Sequence, residues 1–73
     1  MTREEFKAEI KQCIDYRPIG WRKGQAVYNY IDGHYNVARK VQFFDHVDCF
    51  YNDEVIDDFV ELAYCHINGK DII

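Results

Sequence analysis

The last third of the chain carries the clearest pattern of apolar and polar positions. From residue 56, apolar side chains recur at intervals of three and four residues, which places them on one face of an α-helix. They are Ile56, Phe59, Val60 and Ala63. Acidic side chains recur at the same spacing on the opposite face, and they are Glu54, Asp57, Asp58 and Glu61. The pattern predicts a two-sided helix that is capped by Asn52 and ends near Asn68-Gly69.

The first residues of the chain predict a second amphipathic helix. Thr2 and Glu5 have the spacing of a capping box, and apolar side chains follow them at helical intervals. These side chains are Phe6, Ile10, Cys13 and Ile14. We expect the helix to stop near Asp15, because Pro18 favours an extended conformation at the residue before it and residues 16–20 indicate a loop.

Two shorter patterns lie in the middle of the chain. One predicts a helix over about residues 21–31, ended by a turn or a helix C-cap at Asp32-Gly33. The other predicts a helix that starts with Asn36 as its cap and ends at residue 41 or 42. Residues 42–51 show no helical period, so we expect an ordered loop there, with a short extended segment or a hairpin as the alternative.

The four helical segments must bury their apolar faces against one another. The sequence therefore predicts an all-α fold, a single domain over residues 1–73 that forms a compact small bundle of about four helices. The expected core consists of Phe6, Ile10, Ile14, Val27, Ile31, Val41, Ile56, Phe59, Val60 and Ala63. Six Tyr, five Phe and one Trp supply much of the buried area that so short a chain needs.

Charge is distributed unevenly along the chain. Residues 1–44 carry eight Lys/Arg and five Asp/Glu, a net charge of +3, whereas residues 45–73 carry one Lys and eight Asp/Glu, a net charge of −7. One interpretation is that the two halves attract each other in the fold, and the other is that the acidic half faces a basic partner. No apolar run approaches the about 18 residues of a membrane span, and no signal peptide is evident, so we expect a cytoplasmic protein with no membrane partner.

Two separated motifs support the prediction of a helical fold. Residues 22–31 read Arg-Lys-Gly-Gln-Ala-Val-Tyr-Asn-Tyr-Ile, and residues 48–53 read Asp-Cys-Phe-Tyr-Asn-Asp. Together they resemble a loose class of short, mostly uncharacterised phage, prophage and bacterial proteins. Proteins of that class carry an Arg-x-Gly-Gln-x-x-x-Asn segment and a later Asp-x-Phe-Tyr-x-Asp segment. The resemblance implies a small helical fold and no particular activity.

The first motif also has a physical interpretation, a structural polar latch formed by Arg22, Gly24, Gln25 and Asn29. Glycine costs about 1 kcal/mol inside a helix, which indicates that Gly24 permits the close approach of another segment. Gln25 and Asn29 lie four residues apart, so their amides can bond to each other and to the backbone of residues 45–52. A face that contacts a ligand is the alternative.

Patterns typical of metal binding or catalysis are weak. The three histidines include no pair four residues apart and the three cysteines form no C-x-x-C pair, so we expect no metal site and no cofactor. Asp57 and Asp58 are expected on a solvated face, and a chain of this size rarely holds a large pocket, so we expect no enzyme. Cys13 and Cys65 are expected to pack as small apolar groups.

The functional hypothesis is a non-enzymatic interaction or regulatory protein of phage or mobile-element type. Its acidic stripe would bind a basic surface of a protein partner, or of a second copy in a homo-oligomer. The second hypothesis is a nucleic-acid-binding module with a basic patch in residues 17–23 and 39–40. That patch would consist of Arg17, Arg22, Lys23, Arg39 and Lys40. The third hypothesis is that the acidic face only aids solubility.

Overall fold

Four α-helices account for most of the chain in the computed structural model, which describes residues 1–68. They are α1 (Arg3–Asp15), α2 (Lys23–Tyr35), α3 (Ala38–Lys40) and α4 (Ile56–Asn68). Helix α3 continues directly into a π-helix, Val41–Asp45, and a 3₁₀-helix, Asp53–Val55, leads into α4. No strand occurs within residues 1–68, and the prediction of a small all-α bundle is confirmed. The last helix was predicted to end near Asn68-Gly69, and Gly69 lies outside the described residues.

Side chains close both ends of α1. The N–H of Glu5 donates to the Thr2 hydroxyl at 3.1 Å and the N–H of Thr2 donates to the Glu5 carboxylate at 2.8 Å, so the predicted capping box is formed. At the other end, the guanidinium group of Arg17 donates to the carbonyl of Ile14 at 2.7 Å and to that of Trp21 at 2.9 Å. The bond to Ile14 occupies a carbonyl that has no partner inside the helix. The bond to Trp21 holds the loop that leads to α2.

Helix α2 begins and ends later than the pattern predicted. The expected turn at Asp32-Gly33 is wrong, because the helix continues through Gly33. It ends at Tyr35. The next residue, Asn36, adopts the left-handed conformation (φ 59°) and donates its N–H to the carbonyls of Ile31 and Asp32. Asn36 therefore caps the carboxyl end of α2, whereas the sequence pattern had placed it at the amino end of the next helix.

Contacts with α1 explain why α2 extends past Gly33. The hydroxyl groups of Tyr30 and Tyr35 both donate to the carboxylate of Glu9. The distance from the Tyr35 hydroxyl to Glu9 Oε2 is 2.7 Å. The ring of Tyr35 also packs edge-on against Phe6, with the ring centres 5.7 Å apart. These contacts keep Tyr35 on the helix, and together they outweigh the about 1 kcal/mol that a glycine costs a helix interior.

The segment after α2 is helical further than predicted. Residues 38–45 form α3 and the π-helix, so the expected loop over residues 42–45 is wrong, and of the predicted 42–51 loop only residues 46–51 are non-helical. A π-helix closes each turn over one more residue than an α-helix, which removes the period that identifies an α-helix in a sequence. The Tyr28 hydroxyl donates to Gln42 at 2.7 Å and the Gln42 amide donates to Asp48 at 3.1 Å. Gln42 thereby ties the π-helix to α2 and to the loop after it.

The core lies where the helices and the π-helix face one another. Eight of the ten predicted core residues are buried, namely Phe6, Ile10, Val27, Ile31, Val41, Phe59, Val60 and Ala63. The remaining two, Ile14 and Ile56, are half-buried at the edge of the core, so the prediction that they lie inside it is wrong. Cys49 is fully buried in the core, although the irregular apolar spacing around it gave no indication of this.

Candidate functional site

Three members of the predicted acidic stripe lie at the start of α4 and in the 3₁₀-helix before it. Glu54, Asp57 and Asp58 are exposed to solvent. Their carboxylates form no hydrogen bond or ion pair with any part of residues 1–68. The three negative charges are therefore available at the surface, either to another molecule or to water alone.

Glu61, the fourth member of the stripe, is bound within the chain. Its carboxylate accepts hydrogen bonds from Arg3 Nε and from Lys7 Nζ, each at 2.8 Å. The bond from Lys7 and then that from Arg3 hold the pKa of the Glu61 carboxyl below its ordinary value. Since both cations belong to α1, this contact is an attraction between the basic and acidic halves of the sequence.

A groove of about 340 Å³ runs between α1 and α4. The two helices are antiparallel, since the Tyr64 hydroxyl near the end of α4 donates to the Met1 carbonyl at the start of the chain, at 3.1 Å. The floor of the groove consists of Ile10, Ile14, Ile56 and Val60, and its walls consist of Lys7 and Lys11 from α1 and Asp57 and Glu61 from α4. We call this feature the α1–α4 groove. Sequence reasoning missed it, although two lysines four residues apart beside the apolar positions of the first helix were a signal for a basic wall.

The start of α2 meets the segment before α4 in a contact that we call the Gly24 junction, formed by Gly24, Cys49 and Asp53. A Cβ atom at Gly24 would lie 1.8 Å from the carbonyl oxygen of Cys49, so only glycine permits this approach. The Cys49 thiol donates to the Gly24 carbonyl at 3.3 Å, and the Gly24 N–H donates to Asp53 Oδ1 at 2.9 Å. The junction thus brings together the two sequence motifs.

Asp53 supplies a cap that α2 lacks in its own sequence. The residue before the helix is Arg22, whose side chain has no acceptor, and the first turn of α2 contains no acidic residue. The carboxylate of Asp53 accepts the N–H of Gly24 and places a negative charge at the positive end of the helix dipole. A residue far along the sequence therefore completes the start of α2.

The other members of the predicted latch take no part in the junction. The Gln25 side chain accepts the N–H of Arg22 at 3.3 Å, which serves the first turn of its own helix. Asn29 is exposed, and the expected hydrogen bond between Gln25 and Asn29 is not formed among residues 1–68. Because the two backbones already touch at Gly24, the contact needs no bridge of amide side chains.

The three cysteines are free thiols in different environments. Burial raises the pKa of the Cys49 thiol to about 12, which keeps it neutral at physiological pH. Cys13 is half-buried, its thiol donates to the Ala26 carbonyl at 3.3 Å, and burial raises its pKa as well. Cys65 is exposed, so the expectation that it packs as a small apolar group is wrong.

The five basic residues of the nucleic-acid hypothesis are divided between the two ends of α2, with Arg17, Arg22 and Lys23 at its start and Arg39 and Lys40 in α3 after its end. Lys23 begins the helix, whereas Arg39 lies beside Asp32 with 4.0 Å between their charged groups. Asp32 lies nine positions after Lys23 along the helix, a rise of about 14 Å. The Arg17 guanidinium is already bonded to two backbone carbonyls. The arrangement is two small basic pairs, residues 22–23 and 39–40.

A second cavity, of about 420 Å³, lies between α2 and the loop that follows α1. Trp21, Tyr30 and His34 contribute to its wall, and the rings of Tyr30 and His34 stack with 4.1 Å between their centres. No pattern in the sequence pointed to this cavity, because its wall is assembled from two elements that a turn brings together.

Two general features of the described part of the chain bear on the kind of site it can hold. Within residues 1–68, no three His, Cys, Asp or Glu side chains come together as a metal-binding group. None of the helices in that range has the length and apolar character needed to cross a bilayer.

No family model matches the chain, and no curated protein and no solved structure matches it significantly.

Proposed function

We propose that the chain is a small non-enzymatic interaction protein that binds a basic surface of a protein partner through Glu54, Asp57 and Asp58. The observation that carries the proposal is that these three carboxylates are exposed and have no partner within residues 1–68. Glu61 is left out of the proposed surface, because Arg3 and Lys7 already occupy its carboxylate. The proposed surface is therefore the amino-terminal part of the predicted stripe.

The position of these carboxylates supports the proposal. They occupy the 3₁₀-helix and the first turn of α4, where the positive end of the helix dipole offsets part of their mutual repulsion. A patch of one sign of charge speeds association with a basic partner and makes the binding sensitive to salt. A phage or mobile-element protein that occupies a basic groove of a host protein would have a surface of this kind, an analogy between classes of protein.

The test compares two single charge reversals that are matched in position. Asp58 and Glu4 are both exposed acidic residues in the first turn of a helix. We expect Asp58→Lys to weaken the capture of a basic partner from a lysate of the source cells by about tenfold, and Glu4→Lys to leave it unchanged. Capture is measured by affinity purification and quantitative mass spectrometry at two salt concentrations.

Equal capture by the two variants would overturn the proposed surface. Circular dichroism of both variants shows whether the fold is retained, so that a loss of capture can be assigned to the charge. Binding of DNA or RNA by the unmodified chain at low salt would favour the nucleic-acid alternative instead.

A further inference from the structure

We propose that the α1–α4 groove is a self-association surface and that its occupant is a second copy of this chain. The groove has an apolar floor, one basic wall and one acidic wall. This inference does not rest on the proposed function. Asp57 belongs to both surfaces, but Glu54 and Asp58 lie outside the groove and Lys11 lies outside the acidic surface. It rests on the two opposite charges that do not pair across the groove and on the arrangement of its two walls.

Opposite charges pair across the groove at one end and do not pair across it at the other, which we call the unmatched end. Lys7 and Glu61 bond across the groove at 2.8 Å. One helical turn further along each helix, Lys11 and Asp57 line the same groove but do not bond to each other. Lys11 bonds instead to Asp15 on its own helix at 3.1 Å, an exposed pair of a kind that holds a side chain weakly. The Asp57 carboxylate has no partner within residues 1–68.

The apolar floor is also less covered at this unmatched end. Ile14 and Ile56 are half-buried, whereas Ile10 and Val60 are 3% and 5% exposed. The hydrophobic pattern of the sequence had placed Ile14 and Ile56 in the core. Their remaining exposed surface lies between Lys11 and Asp57, two opposite charges that do not bond to each other, which is the composition of a small interface with an apolar centre and a charged edge.

The symmetry of a two-fold dimer matches this arrangement of walls. A two-fold axis that runs along the groove exchanges its left and right walls and keeps each position along the groove unchanged. The basic wall of one copy then faces the acidic wall of the other, and Lys11 of each copy meets Asp57 of its partner. An axis across the groove would instead set lysine against lysine. The groove is therefore self-complementary in only one of these two orientations.

The exposed part of the floor is short, so we expect a weak dimer with a dissociation constant in the micromolar to millimolar range. Sedimentation velocity over protein concentrations up to about 1 mM covers that range. The unmodified chain should show a concentration-dependent shift from monomer to dimer. A chain that stays monomeric over the whole range would overturn the proposal.

Charge reversals at the two positions give a sharper test. Lys11→Glu alone and Asp57→Lys alone each set like charges against each other in both reciprocal contacts, so each variant should remain monomeric. An equimolar mixture of the two variants restores opposite charges in both contacts and should dimerise as the unmodified chain does. The double variant K11E/D57K should also dimerise. Failure of the mixture to associate, or dimers of either single variant, would contradict the proposal.

Two controls separate this proposal from a loss of fold and from the proposed function. Circular dichroism and thermal melts of each single variant establish that it is folded. Asp58→Lys carries the same charge change as Asp57→Lys but lies outside the groove. It should dimerise normally while it loses the basic protein partner, and Lys11→Glu should do the reverse. If Asp58→Lys abolished self-association, the groove would not be the interface.

Discussion

The Gly24 junction and the α1–α4 groove both join a helix to residues distant in sequence, but they do so in different ways. At the junction, backbone touches backbone: a Cβ at Gly24 would fall 1.8 Å from the Cys49 carbonyl oxygen. In the groove, the two helices leave about 340 Å³ open between them, with half-buried isoleucines below and charged side chains above. Gly24 and Cys49 are buried where they touch, whereas the groove is open to solvent.

The Gly24 junction therefore serves stability, whereas the α1–α4 groove is a surface left open to other molecules. The junction is made of groups that cannot move apart without breaking the hydrogen bond from Gly24 to Asp53 and the packing of Cys49. The walls of the groove are charged side chains that can exchange one ion-pair partner for another at little cost in free energy. Substitutions at the junction should therefore act on folding, and substitutions along the groove should act on charge and association.

The largest contrast is expected in the reactivity of thiols. Cys49 is fully buried in the junction, whereas Cys65 is exposed on α4. Cys49 should react only when the domain opens, which for a chain of this length costs about 4 kcal/mol or more. The expected rate ratio is about 10³ in favour of Cys65. Alkylation at pH 8 followed by peptide mass spectrometry measures both rates, and rates within tenfold of each other would mean that the junction is not closed.

The next largest effect is expected for Gly24→Ala. The added methyl group meets backbone atoms of Cys49, which cannot turn aside, so we expect the free energy of unfolding to fall by about 3 kcal/mol. Gly33→Ala is the matched control on the same helix, because nothing lies within 4 Å of the position that its methyl group would take. It should raise stability by about 0.5–1 kcal/mol. Urea denaturation of both variants checks the pair, and equal effects at the two positions would contradict the close contact at Gly24.

A smaller effect is expected when the carboxylate that caps α2 is removed. Asp53→Ala should lower the free energy of unfolding by about 1 kcal/mol, because the first turn of α2 loses an acceptor and a negative charge. Asp53→Asn keeps an acceptor and loses the charge, so it should cost about half as much. Urea denaturation measures the cost, and hydrogen exchange at the Gly24 amide should quicken most in the alanine variant. An unchanged exchange rate there would show that Asp53 is not the cap.

The smallest effect is expected at the matched end of the groove. Lys7 and Arg3 hold the pKa of the Glu61 carboxyl below its ordinary value in the folded chain. The ionised carboxylate therefore stabilises the fold at pH values above its ordinary pKa. This stabilisation is lost as the pH falls through the lower pKa that the group has in the folded chain. Glu61→Gln should be slightly less stable than the unmodified chain at pH 7, and the difference should shrink below about pH 4.5 and in concentrated salt. A difference that persisted at pH 2 would assign the effect to packing.

The ends of the molecule could be predicted well from the sequence because their signals are local. The capping box at Thr2 and Glu5 and the acidic and apolar faces of the last helix are set by residues within one or two turns. The end of α2 could not be predicted, because the contacts of Tyr30 and Tyr35 with Glu9 on another helix override the local signal of Gly33. The π-helix could not be predicted either, since its wider turn breaks the period on which the prediction relies.

The candidate site was only partly predictable for the same reason. The exposure of Glu54, Asp57 and Asp58 follows from the side of the helix on which they lie, which the spacing fixes. The pairing of Glu61 with α1 depends on how two helices align, and no local pattern contains that information. Gly24 could be singled out as unusual inside a helix, but the backbone that lies against it could not be named before the chain was folded.

The cap that Asp53 gives to α2 has a consequence for incomplete chains. A nascent or truncated chain that ends before residue 49 contains the whole of α2 but neither its distant acceptor nor the Cys49 backbone that packs on Gly24. A proteolytic nick between residues 46 and 49 would cut the chain between the same partners. Such fragments would keep their apolar surfaces exposed, so they should be cleared by cellular proteases rather than accumulate as a partly working protein.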